Sequence, residues 1–248
     1  MKVIFQDDDL LVIDKSAGLV VDKSNTQSVD TLEDILQKEF GIKLYRGGII
    51  HRLDKDTSGI ILIAKTQEAL ENLQAQFKDR KVKKEYLALV HGHIMENGRV
   101  EGSIGRNPVN REKFTVLDTG KEAETEYEPI KSLQFSVVSL QRIFSDFNKI
   151  QMRKLEKQNY GQFTLLRVLP KTGRTHQIRV HLKYIRHPVV SDEKYVGRKM
   201  YRLDKRWCPR LFLHATKIGF YHPKFGQWME LESKLPEDLK KVLEDFNE

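Results

Sequence analysis

The stretch from Gly47 to Gly59, GGIIHRLDKDTSG, gathers a histidine, an arginine, aspartates at Asp54 and Asp56, and hydroxyls at Thr57 and Ser58 between glycines. The apolar run Ile60 to Ala64 follows at once and reads as a buried strand. A charged loop feeding into a core strand holds reactive groups on a rigid support. The stretch by itself does not rank Asp54 against Asp56. A second cluster is Arg174-Thr175-His176-Gln177-Ile178-Arg179. With Ile178 facing a core, Arg174 lies one turn earlier, where it can pair bidentately with a carboxylate. Such a partner lowers a carboxylate pKa by ~1 to 3 units and keeps it ionised. An ionised carboxylate can then act as a nucleophile at a sugar carbon or as a general base. A structural ion pair between loop and helix is the plain alternative. Tyr86 follows a basic run and offers either a stacking surface for a base or an ordinary core aromatic.

Other chemistries lack their fingerprints. The chain has no GxGxxG or GxxxxGK[ST] for a nucleotide cofactor, no HExxH or CxxC for zinc, and no GxSxG elbow. A nucleotide cofactor and a dedicated zinc site are therefore not expected.

The elements that must position these groups follow from apolar spacing. Val3–Phe5 and Leu10–Asp14 read as a hairpin, and residues 22–30 as a polar loop. Thr31 caps a helix with apolar positions Leu32, Ile35, Leu36 and Phe40, stopped by Gly41. Thr66 caps a second, carrying Leu70, Leu73 and Phe77, whose end is basic from Lys78 to Lys84. A strand starts at Tyr86, short strands and turns fill 99–130, and Phe163 to Val168 is a strand. The polar segment 131–160 has weak periodicity and reads as a partly helical surface insertion. Thr175 fits the N-cap of a helix with Ile178, Leu182 and Ile185. Residues 194–210 are basic and interleaved with Tyr195, Tyr201 and Trp207; a hairpin and a last helix opened by Pro236 complete the chain. Strands outnumber helices without a βαβ repeat, which predicts an α+β fold with a mixed or antiparallel sheet. No linker divides the chain, so residues 1–248 are expected to form a single domain.

Composition narrows the partner. Forty-three Lys and Arg against 35 Asp and Glu give a formal charge of +8, which favours a polyanion, nucleic acid first and an anionic membrane surface second. The lone Cys208 excludes an internal disulfide and fits a reducing compartment. The N-terminus turns acidic before a signal-peptide core could form, and no apolar run approaches a membrane span. A cytoplasmic chain, monomeric by default, is the expectation.

The motifs also carry a resemblance. His51 to Gly59 is similar to the HRLDxxTSG signature of RluA-type pseudouridine synthases, Lys84-Glu85-Tyr86 to that family's KxY segment, and Pro170 to Leu182 to its third motif. Gly120 to Tyr127 resembles its GKxAxTxY stretch, and Leu213-His214-Ala215 with His222-Pro223 its C-terminal hairpin. The matches run in family order over nearly the whole chain. The resemblance implies a mixed, largely antiparallel central sheet with flanking helices and an RNA-binding cleft. It implies isomerisation of uridine to pseudouridine in ribosomal or transfer RNA, without cofactor or metal. By the same resemblance Asp54 is the catalytic carboxylate, Arg52 enters the space vacated by the target base, Tyr86 lies under the flipped uracil, and Arg174 pairs with the carboxylate. Gln177 and Arg179, in the same motif as Arg174, are expected among the substrate-binding residues. A non-catalytic RNA-binding protein on the same fold is the alternative.

The chain departs from the family pattern in places. Arg186 and Ser191 stand where two turn glycines are usual in the segment reaching Gly197. The 131–160 segment has no counterpart in the pattern. Many relatives carry an N-terminal S4 domain; this chain is expected to begin directly in the catalytic region, so that RNA selection comes from that region and its loops.

Overall fold

The computed structural model describes residues 1–21, 30–158, 160–244 and 246; the polar loop expected at 22–30 lies, apart from Asp30, outside them. The chain runs β1 (Lys2–Gln6), β2 (Leu10–Lys15), α1 (Leu32–Phe40), a 3₁₀ turn (Tyr45–Gly48), β3 (Ser58–Ala64), α2 (Gln67–Lys78) and β4 (Lys83–His91). It continues with β5 (Gly98–Glu101), β6 (Ile104–Arg106), β7 (Phe114–Val116), β8 (Glu124–Gln134), α3 (Val137–Ile143), α4 (Lys149–Lys157) and β9 (Gln162–Pro170). Last come α5 (Gln177–Tyr184), α6 (Arg198–Asp204), β10 (Leu213–Tyr221), β11 (Trp228–Glu232) and α7 (Glu237–Glu244). The fold is α+β; β1–β2, β2–β3, β10–β11, β4–β9, β8–β9, β5–β8 and β6–β7 pair antiparallel, and β3 pairs with β10 in parallel. Contacts divide the chain into two compact units, Met1–Glu85 with His214–Lys234 and Tyr86–Leu213 with Leu235–Glu248.

In the first unit the strand order is β1-β2-β3-β10-β11. Every residue of β3 is buried, so its near-continuous apolar run is a strand covered on both faces. The helices begin where local chemistry dictates. Thr31 and Asp34 form a reciprocal capping box at α1, and Gly41 closes that helix in the left-handed region at φ 66°. Thr66 Oγ1 accepts the Ala69 N–H at the start of α2.

In the second unit β4, β9, β8 and β5 form an antiparallel run, with Tyr86 opposite Val168, and β6 pairs with β7. Its core is aromatic: Phe163, Phe135, Trp207 and Phe246 meet at ring distances of 4.5 to 5.7 Å. Two features differ from expectation. The 131–160 segment is not a surface addition: its first residues continue β8, and Leu133, Phe135, Phe144, Leu155 and Tyr160 are buried core. Its weak periodicity has a physical reason. Three of those side chains, Phe135, Phe144 and Tyr160, lie at or beyond the ends of α3 and α4, where no helical period registers them. The cap of α5 is His176 rather than Thr175, with His176 at φ 55° and its Nδ1 bonded to Tyr195 Oη at 2.8 Å.

Candidate active site

The Gly47–Gly59 stretch is fastened to the first unit at several points. Gly48 has φ 72°, and a Cβ there would overlap the Ala64 carbonyl oxygen. The Ile50 N–H reaches the Leu62 carbonyl, and the Leu62 N–H is accepted by His51 Nε2 at 3.1 Å. His51 stacks on Phe77 at 5.1 Å. Burial first, then the nearby Lys84 charge, push the His51 imidazole down to about 3, so it is neutral and serves as a bracket for β3. Burial also lowers Lys84 to about 8. After Leu53, which is buried, the Thr57 N–H closes a turn on the Asp54 carbonyl at 3.1 Å. Asp54 is half-buried, while Arg52 and Asp56 are exposed.

The strut under this turn is Lys15, the last residue of β2. Its side chain is fully buried, and Nζ donates to the carbonyls of Ser16, Leu19 and Lys55 at 2.9, 3.0 and 3.0 Å. All three ammonium protons therefore have an acceptor. The Lys55 carbonyl also accepts the Gly18 N–H at 2.8 Å, so the Lys55–Asp56 peptide, one residue past Asp54, is held twice. On the far side Ser58 Oγ meets His214 Nδ1 at 2.9 Å, and His214 Nε2 faces the Ser233 carbonyl at 3.2 Å. Gly59, at φ 119°, lets β3 lie against Ala215; a Cβ would overlap the Ala215 backbone. The loop that carries Asp54 is thus rigid where it meets the sheet.

The remaining expected residues belong to the second unit. Tyr86 is mostly buried on β4. Arg174 is exposed, with Nε donating to the Glu122 carbonyl at 2.9 Å. Gln177 and Arg179, expected among the substrate-binding residues, are buried and engaged inside the unit. Gln177 Nε2 donates to the Glu124 carbonyl and Thr125 Oγ1, and its Oε1 accepts from Thr172 Oγ1 and the Arg174 N–H. Those bonds use its amide fully and fix the backbone of Arg174. Arg179 makes a bidentate pair with Asp192 at 2.7 and 2.8 Å, with both side chains buried. Asp192 Oδ1 also accepts the N–H groups of Lys194 and Tyr195, which ties α5 to the loop after it.

Residues 9–184, including both the Asp54 loop and the Arg174 motif, match the family described as RNA pseudouridylate synthase. The chain belongs to that family. It is 39% identical over 255 residues to ribosomal large subunit pseudouridine synthase D of Nitrosomonas europaea, covering 98% of this chain and 64% of that protein. It is 38% identical to an uncharacterized RNA pseudouridine synthase of Aquifex aeolicus, covering 98% of this chain and 72% of the other. Among solved structures, human RNA pseudouridylate synthase domain containing 1 superposes with a TM-score of 0.71 at 26% identity, covering 95% of this chain and 83% of that one.

The first unit offers a carboxylate on a braced turn with an arginine two residues before it; the second, by itself, offers an arginine whose backbone is pinned by Gln177. Lys15 was not singled out from the sequence. A lysine closing an apolar strand looks like a surface terminus, and one of its acceptors, the Lys55 carbonyl, lies 40 residues away. The only available signal was the uninterrupted run Leu10 to Ile13 leading into it. Arg186 and Ser191, in the positions of the family's turn glycines, keep positive φ at 68° and 55°. Among the described residues no group of three His, Cys, Asp or Glu comes together as a metal site, and no helix is long and apolar enough to cross a membrane.

Proposed function

We propose that this chain converts uridine to pseudouridine in RNA, with Asp54 as the catalytic carboxylate and ribosomal RNA as the first substrate class to test. The observation that carries the reading is the family match across residues 9–184, which contains Asp54 on its braced turn. The Nitrosomonas relative is named for the large ribosomal subunit, which motivates the choice of RNA; transfer RNA is the second class. The carboxylate acts at the target nucleotide, either at C1′ or on the 2′ proton. The C1′–N1 bond breaks, the uracil turns, a C1′–C5 bond forms, C5 loses its proton and N1 gains one. The isomerisation is redox-neutral and balances with no external group. Arg52 takes the vacated base position, and Tyr86 supplies the stacking that offsets the few kcal/mol cost of flipping. By the family pattern Arg174 is the basic residue that accompanies the carboxylate. Gln177 and Arg179 act one step back, as positioning residues for Arg174 and for the loop around Asp192. We take the enzyme to be a cytoplasmic monomer.

The test is release of tritium from RNA labelled at uridine C5. Wild type should release it from ribosomal or transfer RNA. Asp54→Asn should abolish release while filter binding of the RNA survives. Binding without release by well-folded wild type would leave a non-catalytic RNA-binding protein instead, and free uracil among the products would make it a glycosylase.

A further inference from the structure

A cavity of about 630 Å³ opens in the second unit between α4, α6 and the residues just beyond them. Its floor is apolar, made by Phe147, Leu155 and Leu203, and its rim is cationic, with Lys154 from α4 and Arg198, Lys199 and Arg202 from α6. No Asp or Glu lines it. Three acids adjoin lining residues in sequence: Asp146 is taken by Arg206, Glu156 is exposed on α4 without lining the cavity, and Asp204 is fully buried and occupied by His91 Nε2 at 2.9 Å, Tyr160 Oη at 3.1 Å and the Ser191 N–H at 2.9 Å. Arg206 is held by a bidentate pair with Asp146, which parks its guanidinium 4.9 Å from the Phe147 ring and leaves it a structural part of the wall. Lys154, Arg198 and Arg202 are exposed and make no ion pair among the described residues. Arg198 and Arg202 stand at i, i+4 on one helix, a like-charge spacing that weakens α6 unless an anion sits between them.

We infer that this groove is a second RNA-binding surface, which seats a single-stranded segment of the RNA. The phosphodiesters meet Lys154, Arg198, Lys199 and Arg202, and an unstacked base enters against Phe147 and the apolar floor. Cationic rim with apolar floor is the chemistry that single-stranded RNA requires, because backbone charge and base faces are bound together. A flat anionic membrane would meet the rim but not the recessed floor. The inference rests on RNA being the substrate and adds a second place on the protein where its strand is held.

The experiment uses the full chain and a fluorescein-labelled oligouridylate of about 15 nucleotides, within the length a single-strand groove covers. Binding anisotropy is followed over a salt series for wild type, for the variant Lys154→Ala/Arg198→Ala/Arg202→Ala, and for a charge-matched control, Lys234→Ala/Lys240→Ala/Lys241→Ala. The groove variant should bind about tenfold more weakly at low salt and lose about 2 from the slope of log affinity against log salt, at ~0.7 per phosphate contact. The control should keep the wild-type slope. Photocrosslinking with 4-thiouridine in the oligomer should label peptides containing Phe147 or residues 198–206. Equal slopes for the two variants, or crosslinks confined to other peptides, would overturn the inference. So would displacement of the oligomer by polyglutamate as readily as by unlabelled RNA, which would point to an acidic protein partner. Loss of tritium release by wild type tests the proposed activity, whereas a changed slope with release intact tests the groove, so the two can fail separately.

Discussion

Lys15 places a positive charge at zero exposure beneath the turn that carries Asp54, with its ammonium shared among three carbonyls. Lys15→Met keeps the stem's volume and removes the donors. The Lys55 carbonyl retains the Gly18 N–H, but the Ser16 and Leu19 carbonyls lose the ammonium. The expected loss is about 1–3 kcal/mol of stability in urea unfolding. Turnover in the tritium assay should fall more than RNA affinity, because the Asp54 turn is no longer fixed. Unchanged turnover in a destabilised variant would show that the turn stands without the strut. His51 gives a second prediction at this scale. Its folded pKa, near 3, lies below the unfolded value of about 6.5. Between those pH values the unfolded chain binds a proton that the folded chain refuses, so stability falls as pH drops below about 6.5. Comparing pH 7 with pH 5, His51 should contribute about 2 kcal/mol of loss. His51→Gln should show a smaller loss between the same two pH values than wild type does. An identical loss in both would mean that the ring is protonated in the fold.

At the scale of elements, the end of α5 is informative. The Arg186 N–H reaches the Lys183 carbonyl and the His187 N–H reaches the Leu182 carbonyl, both at 2.9 Å. That pair of bonds is a Schellman closure, with Arg186 at the left-handed position that glycine favours. An L side chain there costs roughly 1–2 kcal/mol, offset in part by the entropy that glycine adds to the unfolded chain. Arg186→Gly should therefore raise stability by about 0.5–1 kcal/mol in urea. A loss on the same measurement would mean that the arginine side chain makes a contact that outweighs the strain. Ser191→Gly should gain less, because Ser191 Oγ donates to the Cys208 carbonyl at 2.8 Å. The same elements show what a sequence can reveal. The caps Thr31, Gly41 and Thr66 are local devices and were read correctly from a few neighbours. Gln177 to Leu182 are all buried, so α5 is enclosed over its first six residues and exposed at Lys183 and Tyr184, with Gln177 and Arg179 turned inward. Lys15 and the core role of 131–160 depend on contacts distant in the chain, which no short window contains.

For the whole molecule, the charge of +8 overstates the cations that RNA can reach. In the basic run 194–210, Arg206 is committed to Asp146 and Arg210 to Asp238. In the run 78–84, Lys81 pairs with Asp79, Lys83 lies 5.5 Å from the Trp228 ring centre, and Lys84 is half-buried beside Phe77. Lys171, next to the Arg174 motif, is paired with Glu126 at 2.6 Å. Phosphate contacts should therefore number far fewer than the lysines and arginines. With about six contacts, the log–log salt slope for a single-stranded substrate should be about −4, at ~0.7 per phosphate. The measurement is RNA affinity of the Asp54→Asn variant over a salt series, so that turnover does not alter the ligand during titration. A slope near zero would remove the basic runs from recognition and leave binding to Tyr86 and base contacts. A slope much steeper than −4 would mean that RNA breaks the internal ion pairs as it binds, in which case Asp146→Asn and Asp238→Asn should tighten binding by freeing Arg206 and Arg210.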